Sequence, residues 1–162
     1  AAYVTLNLME GVTENGSGAR LRHAGLENEN YIYKNVVSGY PYVFENSIAG
    51  KTGTTQNQSD GWFMGMVPNL VTGVWVGGED RAIHFEEIAY GQGATMALPI
   101  WAQFMKDVYT KPELGISTED FEVPTNLNIE LDCEKFKEKE GDNEKDELED
   151  LEGFGCKRVL GV

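Results

Sequence analysis

Apolar residues recur at helical spacing from the start of the chain. Val4, Leu8 and Val12 stand four apart with Leu6 and Met9 beside them, so the spacing predicts a helix with one buried stripe. Asn15-Gly16-Ser17-Gly18 is a helix stop and loop. Residues 19–44 are interrupted: Leu21 to Leu26 reads as a short turn or helix, and Tyr31-Ile32-Tyr33, Val36-Val37 and Tyr40 to Phe44 are β-prone pieces broken by Asn, Gly and Pro. From Ser47 the period falls to two. Ser47 to Thr54 reads as a strand of small residues with one cation, and Thr55 to Ser59 as a polar loop. Gly61 to Val67 is a strand with Trp62, Met64 and Met66 on one face and Phe63 and Val67 on the other. Pro68-Asn69 is a tight turn, and Leu70 to Val76 returns to stop at Gly77-Gly78. Three strands with short connections imply an antiparallel meander. After a loop from Glu79 to Gly93 comes a second helix, with Pro99 in its first turn. Ala97, Trp101, Phe104, Met105 and Val108 form its buried stripe, and Lys111-Pro112 ends it. The expected fold class is α+β, an antiparallel sheet of at least three strands packed against an N-terminal and a C-terminal helix.

Composition adds limits. The chain has 162 residues, 41% hydrophobic, enough for one domain with a real core. Its net charge of -14 argues against binding nucleic acid or anionic lipid through charge. No apolar run approaches the roughly 20 residues that span a bilayer, and no signal segment opens the chain. The chain starts inside an apolar-periodic segment and not on Met, which reads as a piece of something longer. The charge is uneven: residues 1–112 carry 7 basic and 11 acidic side chains, and residues 113–162 carry 6 and 16. The expected division is a nearly balanced body over 1–112 and an acidic, partly disordered tail over 113–162. Within the tail, Leu127 to Leu131 is one β-like piece, and Glu134 to Glu152 holds 10 acidic and 4 basic residues, a run that is usually solvated. Cys133 and Cys156 form no C-x-x-C pair and have no nearby His, so zinc is not expected. They can pair in an oxidising compartment or stay as free thiols in the cytosol.

Gly50-Lys51-Thr52-Gly53-Thr54 carries the candidate chemistry, and two readings compete for it. A Walker A loop requires Gly at position 45, where this chain has Glu45, and must open a helix, whereas strands follow here. The alternative is a strand bordering a serine acyl-transfer site. Small residues let a substrate backbone approach the strand edge. Lys51 supplies positive charge, the Thr52 and Thr54 hydroxyls can bind a carboxylate, and an edge N–H can point at a developing oxyanion.

Lys51-Thr52-Gly53 also matches the K-T-G element of serine acyl-transfer enzymes that react with β-lactams. Residues 48–55, Asp60-Gly61-Trp62-Phe63-Met64-Gly65, residues 70–77 and Ala97-Leu98-Pro99-Ile100-Trp101 surround it in order. The set resembles the end of the transpeptidase domain of class A, bifunctional penicillin-binding proteins, over about residues 1–110. The first helix and its Gly16-Ser17-Gly18 loop are similar to the helix and Gly-Thr-Gly loop that precede that strand. The resemblance implies that Lys51 helps to hold the substrate carboxylate and shapes the field around the nucleophile. It implies that Thr52 and Thr54 bind the carboxylate of a peptidoglycan stem peptide or a β-lactam. Gly53 would keep the groove open, and the Thr54 backbone N–H would be one of two oxyanion donors. No cofactor or metal is implied. The site would face the periplasm, on a protein anchored in the inner membrane by an upstream segment.

The family's nucleophile lies in S-x-x-K, with S-x-N as a second element. Three residues after Ser17, Ser38, Ser47, Ser59 and Ser117 stand Arg20, Pro41, Gly50, Trp62 and Asp120. Two residues after them stand Ala19, Tyr40, Ala49, Gly61 and Glu119. Neither motif occurs. The expectation is therefore the C-terminal part of a D,D-transpeptidase, inactive alone, that exposes surface normally covered by its other half. Such a piece would be marginally stable or form a homodimer or strand exchange. The competing function is a non-catalytic binding module using the Lys51 groove or the acidic tail.

Other residues invite sharper readings that plainer ones outweigh. Trp62, Phe63, Trp75 and Trp101 sit at strand and helix periodicity, so most are expected in the core and not on a stacking surface. His23 and His84 are read as loop or surface residues, and Asp60 as a turn or strand-start carboxylate. Asp142, Glu144 and Asp146 alternate as in a calcium loop, but Glu147 stands where that loop needs Gly.

Overall fold

The computed structural model describes residues 2–22, 42–127, 129 and 131. The β-prone pieces over 31–41, His23, both cysteines and the acidic run lie outside the described residues. Helix α1 spans Ala2–Glu14 and stops at the Asn15–Gly18 loop, which leads into a 3-10 turn at Ala19–Leu21. Arg22 then ties two segments together. Its guanidinium pairs with Glu14 at 2.7 Å and donates to the carbonyls of Phe44 and Asn46. The Phe44 amide donates to Leu21 O at 2.8 Å.

Three strands follow: β1 (Ala49–Thr54), β2 (Asp60–Val67) and β3 (Leu70–Gly77). They form the expected antiparallel meander, in the order β1-β2-β3, with Lys51 opposite Met64, Trp62 opposite Trp75 and Val67 opposite Leu70. A one-turn helix α2 (Ile88–Gly91) then leads to α3 (Gly93–Tyr109). The architecture is thus a small α+β arrangement, with α3 packed across the three strands and α1 against β1.

Trp101 centres the core. It is fully buried with Phe63, Leu21, Ile48, Leu98 and Met105. Its indole meets Phe63 edge-on at 5.2 Å and donates to Thr72 Oγ1 at 2.6 Å. Gly65 lies directly under that indole, where a Cβ would overlap the ring.

Several expectations change. Leu8, placed in the buried stripe of α1, is 70% exposed, and Thr13 is the residue that α1 buries. The helix packs chiefly on one strand, so only its C-terminal end is enclosed. Thr13 Oγ1 lies 2.5 Å from Ile48 O, just before β1. Phe104 is likewise exposed, while Leu98 and Ala102 are buried. At about 100° per residue the sheet-facing stripe of α3 follows 94, 97, 98, 101, 102, 105 and 108, and position 104 falls off it. Pro99 lies inside α3 and not in its first turn, because the helix begins six residues earlier, at Gly93. The missing amide removes one ladder bond, to Thr95 O.

Trp62 and Trp75 are not core residues. Phe63, Gly65 and Val67 face α3, and the alternation puts Trp62 and Trp75 on the other, exposed face, with ring centroids 6.3 Å apart. Leu127, Ile129 and Leu131 belong to no strand. Ile129 is exposed there and has no described strand to pair with. Beyond α3 the chain still touches the body. Ile116 packs on the core, Asn69 bonds Gly115 O and the Ser117 amide, and Ser47 Oγ donates to Asp120 at 2.6 Å.

Candidate active site

Strand β1 presents Lys51, Thr52, Gly53 and Thr54 at the edge of the sheet. Its small residues follow from what presses on it. A Cβ on Gly50 would collide with the Phe63 ring, and one on Gly53 would crowd Trp62 Cβ at 3.2 Å. From the other side, a Cβ on Gly93 would run into the backbone oxygens of Gly53 and Trp62. The first residue of α3 therefore sits directly on the β1–β2 backbone, an approach that only glycine permits.

That approach supplies a hydrogen bond. The Gly93 amide, one of the donors that every helix start leaves unpaired, donates to Thr54 Oγ1 at 3.0 Å. Having accepted that bond, the Thr54 hydroxyl still has its own proton to donate. Thr52 Oγ1 lies 2.6 Å from Ser17 Oγ, in the loop after α1. The exposed Lys51 ammonium donates to Thr52 O at 2.9 Å. Both helix ends thus converge on the two threonines, α1 through Ser17 and α3 through Gly93.

The backbone direction also follows. The Thr55 amide donates to Asp60 O at 3.0 Å, so Thr55, Gly53 and Lys51 turn their peptide groups toward β2. By the alternation of an antiparallel ladder, Thr52 and Thr54 turn theirs to the opposite edge, where no described strand pairs with β1. The Thr54 N–H, expected from the resemblance to be an oxyanion donor, lies on that edge.

Asp60 holds the base of the hairpin as a strand-start carboxylate. It accepts from Trp75 Nε1 at 2.9 Å and from the Thr55 and Ser59 hydroxyls at 3.1 Å each. The Trp75 bond foremost, then those from Thr55 and Ser59, holds its carboxyl below the usual aspartate range. His84 stands in an exposed loop, its ring nitrogen 3.2 Å from Phe85 O. Among the described residues no group of three or more His, Cys, Asp or Glu can hold a metal ion.

The pairing of the two threonines with Ser17 and Gly93 was not legible from the sequence. Gly16-Ser17-Gly18 carried a signal as the loop before the K-T-G strand. Gly93 read only as the end of a loop.

No family model matches the chain. Comparison with curated proteins finds relatives over part of it. Penicillin-binding protein 1A of Aquifex aeolicus is 43% identical over 82 residues, covering 51% of this chain and 10% of that protein. Penicillin-binding protein 1B of Vibrio cholerae is 36% identical over 95 residues, covering 54% and 11%. Penicillin-binding protein 1A of Neisseria meningitidis is 42% identical over 59 residues, covering 36% and 7%. The matched stretch is homologous to a region of class A penicillin-binding proteins. The chain spans about a tenth of the length of these relatives. No helix among the described residues is long and apolar enough to cross a membrane.

Proposed function

We propose that residues 1–112 are the C-terminal portion of the transpeptidase domain of a peptidoglycan-synthesising penicillin-binding protein, with 113–162 an acidic tail. In this reading β1 is one wall of a serine acyl-transfer cleft on the periplasmic side of the membrane. The nucleophilic serine and its lysine come from a part of a longer protein, since no S-x-x-K occurs here. Lys51 attracts the carboxylate of a D-Ala-D-Ala stem peptide or a β-lactam. Thr54 donates its remaining proton to that carboxylate, and Thr52 offers a second hydroxyl. The serine adds to the scissile carbonyl and passes its proton to a base outside this chain. The carbonyl oxygen becomes an oxyanion facing the Thr54 N–H; as it collapses to the acyl-serine, the base returns the proton to the departing nitrogen, which leaves with D-Ala or opens the lactam ring.

The observation that carries the reading is the Thr54 group itself. Its hydroxyl is oriented by the Gly93 amide, and its N–H lies on the open edge beside Lys51. Gly53 leaves that edge unobstructed.

Intact mass after incubation with a reactive penicillin tests it. This chain should gain nothing, and a longer form carrying an upstream S-x-x-K should gain one antibiotic mass. In that longer form, Lys51→Ala should slow acylation by about 100-fold or more. If no form gains mass, the acyl-transfer reading fails and a non-catalytic binding module takes its place.

A further inference from the structure

We propose that Arg20 is a positioning residue for the two threonine hydroxyls of β1. Its effect on acylation rests on the acyl-transfer reading, whereas its hold on the start of α3 does not. Arg20 is 4% exposed, in the short turn Ala19–Leu21 after α1. Its Nη1 donates to Ala94 O at 2.8 Å, a buried bond between residues 74 positions apart. Burying a guanidinium is costly, and a cation beside a helix start opposes the helix dipole. The stability of α3 alone would not select a cation there.

The groups on either side of Arg20 account for its place. Ala94 is the second residue of α3, next to Gly93. The Gly93 amide donates to Thr54 Oγ1 at 3.0 Å. Ser17 stands three residues before Arg20, and its Oγ lies 2.6 Å from Thr52 Oγ1. The loop and turn after α1 therefore reach both hydroxyls, Thr52 through Ser17 and Thr54 through Ala94 and Gly93. These bonds close a ring that runs from the loop to α3, on to Thr54, along β1 to Thr52 and back to Ser17. Moving one member strains the others, so the ring fixes where the two hydroxyls sit.

The first turn of α3 needs a hold from outside the helix. Pro99 lies within α3, so Thr95 O loses its ladder bond and the proline ring crowds that carbonyl. The turn that starts at Gly93 is thereby tied less tightly to the rest of the helix. Gly93 rests on the backbone oxygens of Gly53 and Trp62, with no room for a Cβ. That contact stops the turn from sinking into the sheet but not from lifting off it. The bond from Arg20 to Ala94 supplies the missing restraint. Without it the Gly93 amide moves away from Thr54, which then loses the bond that aims its remaining proton.

Two measurements test this, each on Arg20→Met, which removes the donor, and on Arg20→Lys, which keeps one. On the full chain, residue-resolved amide exchange should be at least about tenfold faster at Gly93 in Arg20→Met. Phe63 and Val74, partners in the β2–β3 ladder, should be unchanged, and Arg20→Lys should stay within about threefold of the parent at all three. On the longer form carrying an upstream S-x-x-K, acylation by a penicillin is compared with acylation by its carboxyl methyl ester. Only the free carboxylate draws fully on the aimed hydroxyls. Arg20→Met should therefore slow the acid by about tenfold or more and leave the ester within about twofold, with Arg20→Lys restoring the acid rate. Exchange that rises equally at Gly93, Phe63 and Val74 overturns the proposal, since Arg20 then supports the whole fold. Exchange unchanged at Gly93 overturns it as well. So does equal slowing of acid and ester, which marks general loosening of the site. A longer parent form that takes up neither compound sinks the acyl-transfer reading and the effect of Arg20 on acylation with it. The exchange at Gly93 then still decides whether Arg20 holds the start of α3.

Discussion

The bond from Gly93 to Thr54 couples the stability of α3 to the geometry of β1, and Thr54→Val isolates it. Valine keeps the shape and removes the oxygen. The Gly93 amide, which bonds Thr54 Oγ1 at 3.0 Å in a half-buried position, then loses its partner between helix and strand. Removing a side-chain acceptor from a helix start costs about 0.5–2 kcal/mol, and a buried amide left unpaired about 1–3 kcal/mol. About 1.5 kcal/mol is the overlap. For a folded unit of roughly 100 residues each kcal/mol moves Tm by about 4–8 °C, so Thr54→Val should melt about 6–12 °C lower. Thr54→Ser keeps the acceptor and should stay within about 3 °C of the parent. Circular dichroism melts of the three proteins at one pH and concentration decide the matter. If the valine and serine variants melt together, the Gly93 amide is satisfied by something other than the hydroxyl. The claim that α3 orients Thr54 would then be wrong.

Further outcomes follow from the same geometry. Trp101→Phe and Thr72→Val remove opposite ends of one half-buried bond. A double-mutant cycle read by urea unfolding should give a coupling of about 0.5–1.5 kcal/mol, and strict additivity would contradict it. Gly65→Val should prevent native folding, seen as loss of the near-ultraviolet tryptophan signal, because its side chain would occupy the place of the Trp101 indole. The Asp60 carboxyl is held below its ordinary range in the fold, so it contributes stability above the unfolded pKa. That contribution is lost as pH falls from there through the folded value, and the difference in Tm between the parent and Asp60→Asn should shrink with it. Burial raises the Glu10 carboxyl above the ordinary glutamate range, so ionised Glu10 opposes folding. Glu10→Gln should raise Tm at pH 7, and the gain should vanish once the pH is below the ordinary glutamate range.

Much of the scaffold was legible from local pattern. Period-two alternation in Gly61–Val67 separated Phe63 and Val67 from Trp62 and Met64, because a strand's faces are set by covalent geometry. Pro68-Asn69 marked the hairpin, and Asn15 to Gly18 the end of α1. The ordered residues around Lys51 pointed to the homologous region of the penicillin-binding proteins.

Burial was another matter, because it depends on what packs against each face. Leu8 and Phe104 have the right spacing for a core stripe, yet α1 meets chiefly one strand and α3 is rotated by a fraction of a turn. Trp62 and Trp75 alternate correctly but lie on the face that α3 does not cover. The candidate site divides along the same line. The sequence by itself determined which groups β1 carries, a cation, two hydroxyls and glycines that leave room. Only the tertiary structure decided which atoms those groups face: Ser17 at Thr52, the Gly93 amide at Thr54, and the Thr52 and Thr54 peptide groups turned to the open edge. Residues 35 and 39 positions apart meet there, and hydrogen-bond direction across such separations is settled by packing and strand register, not by local propensity.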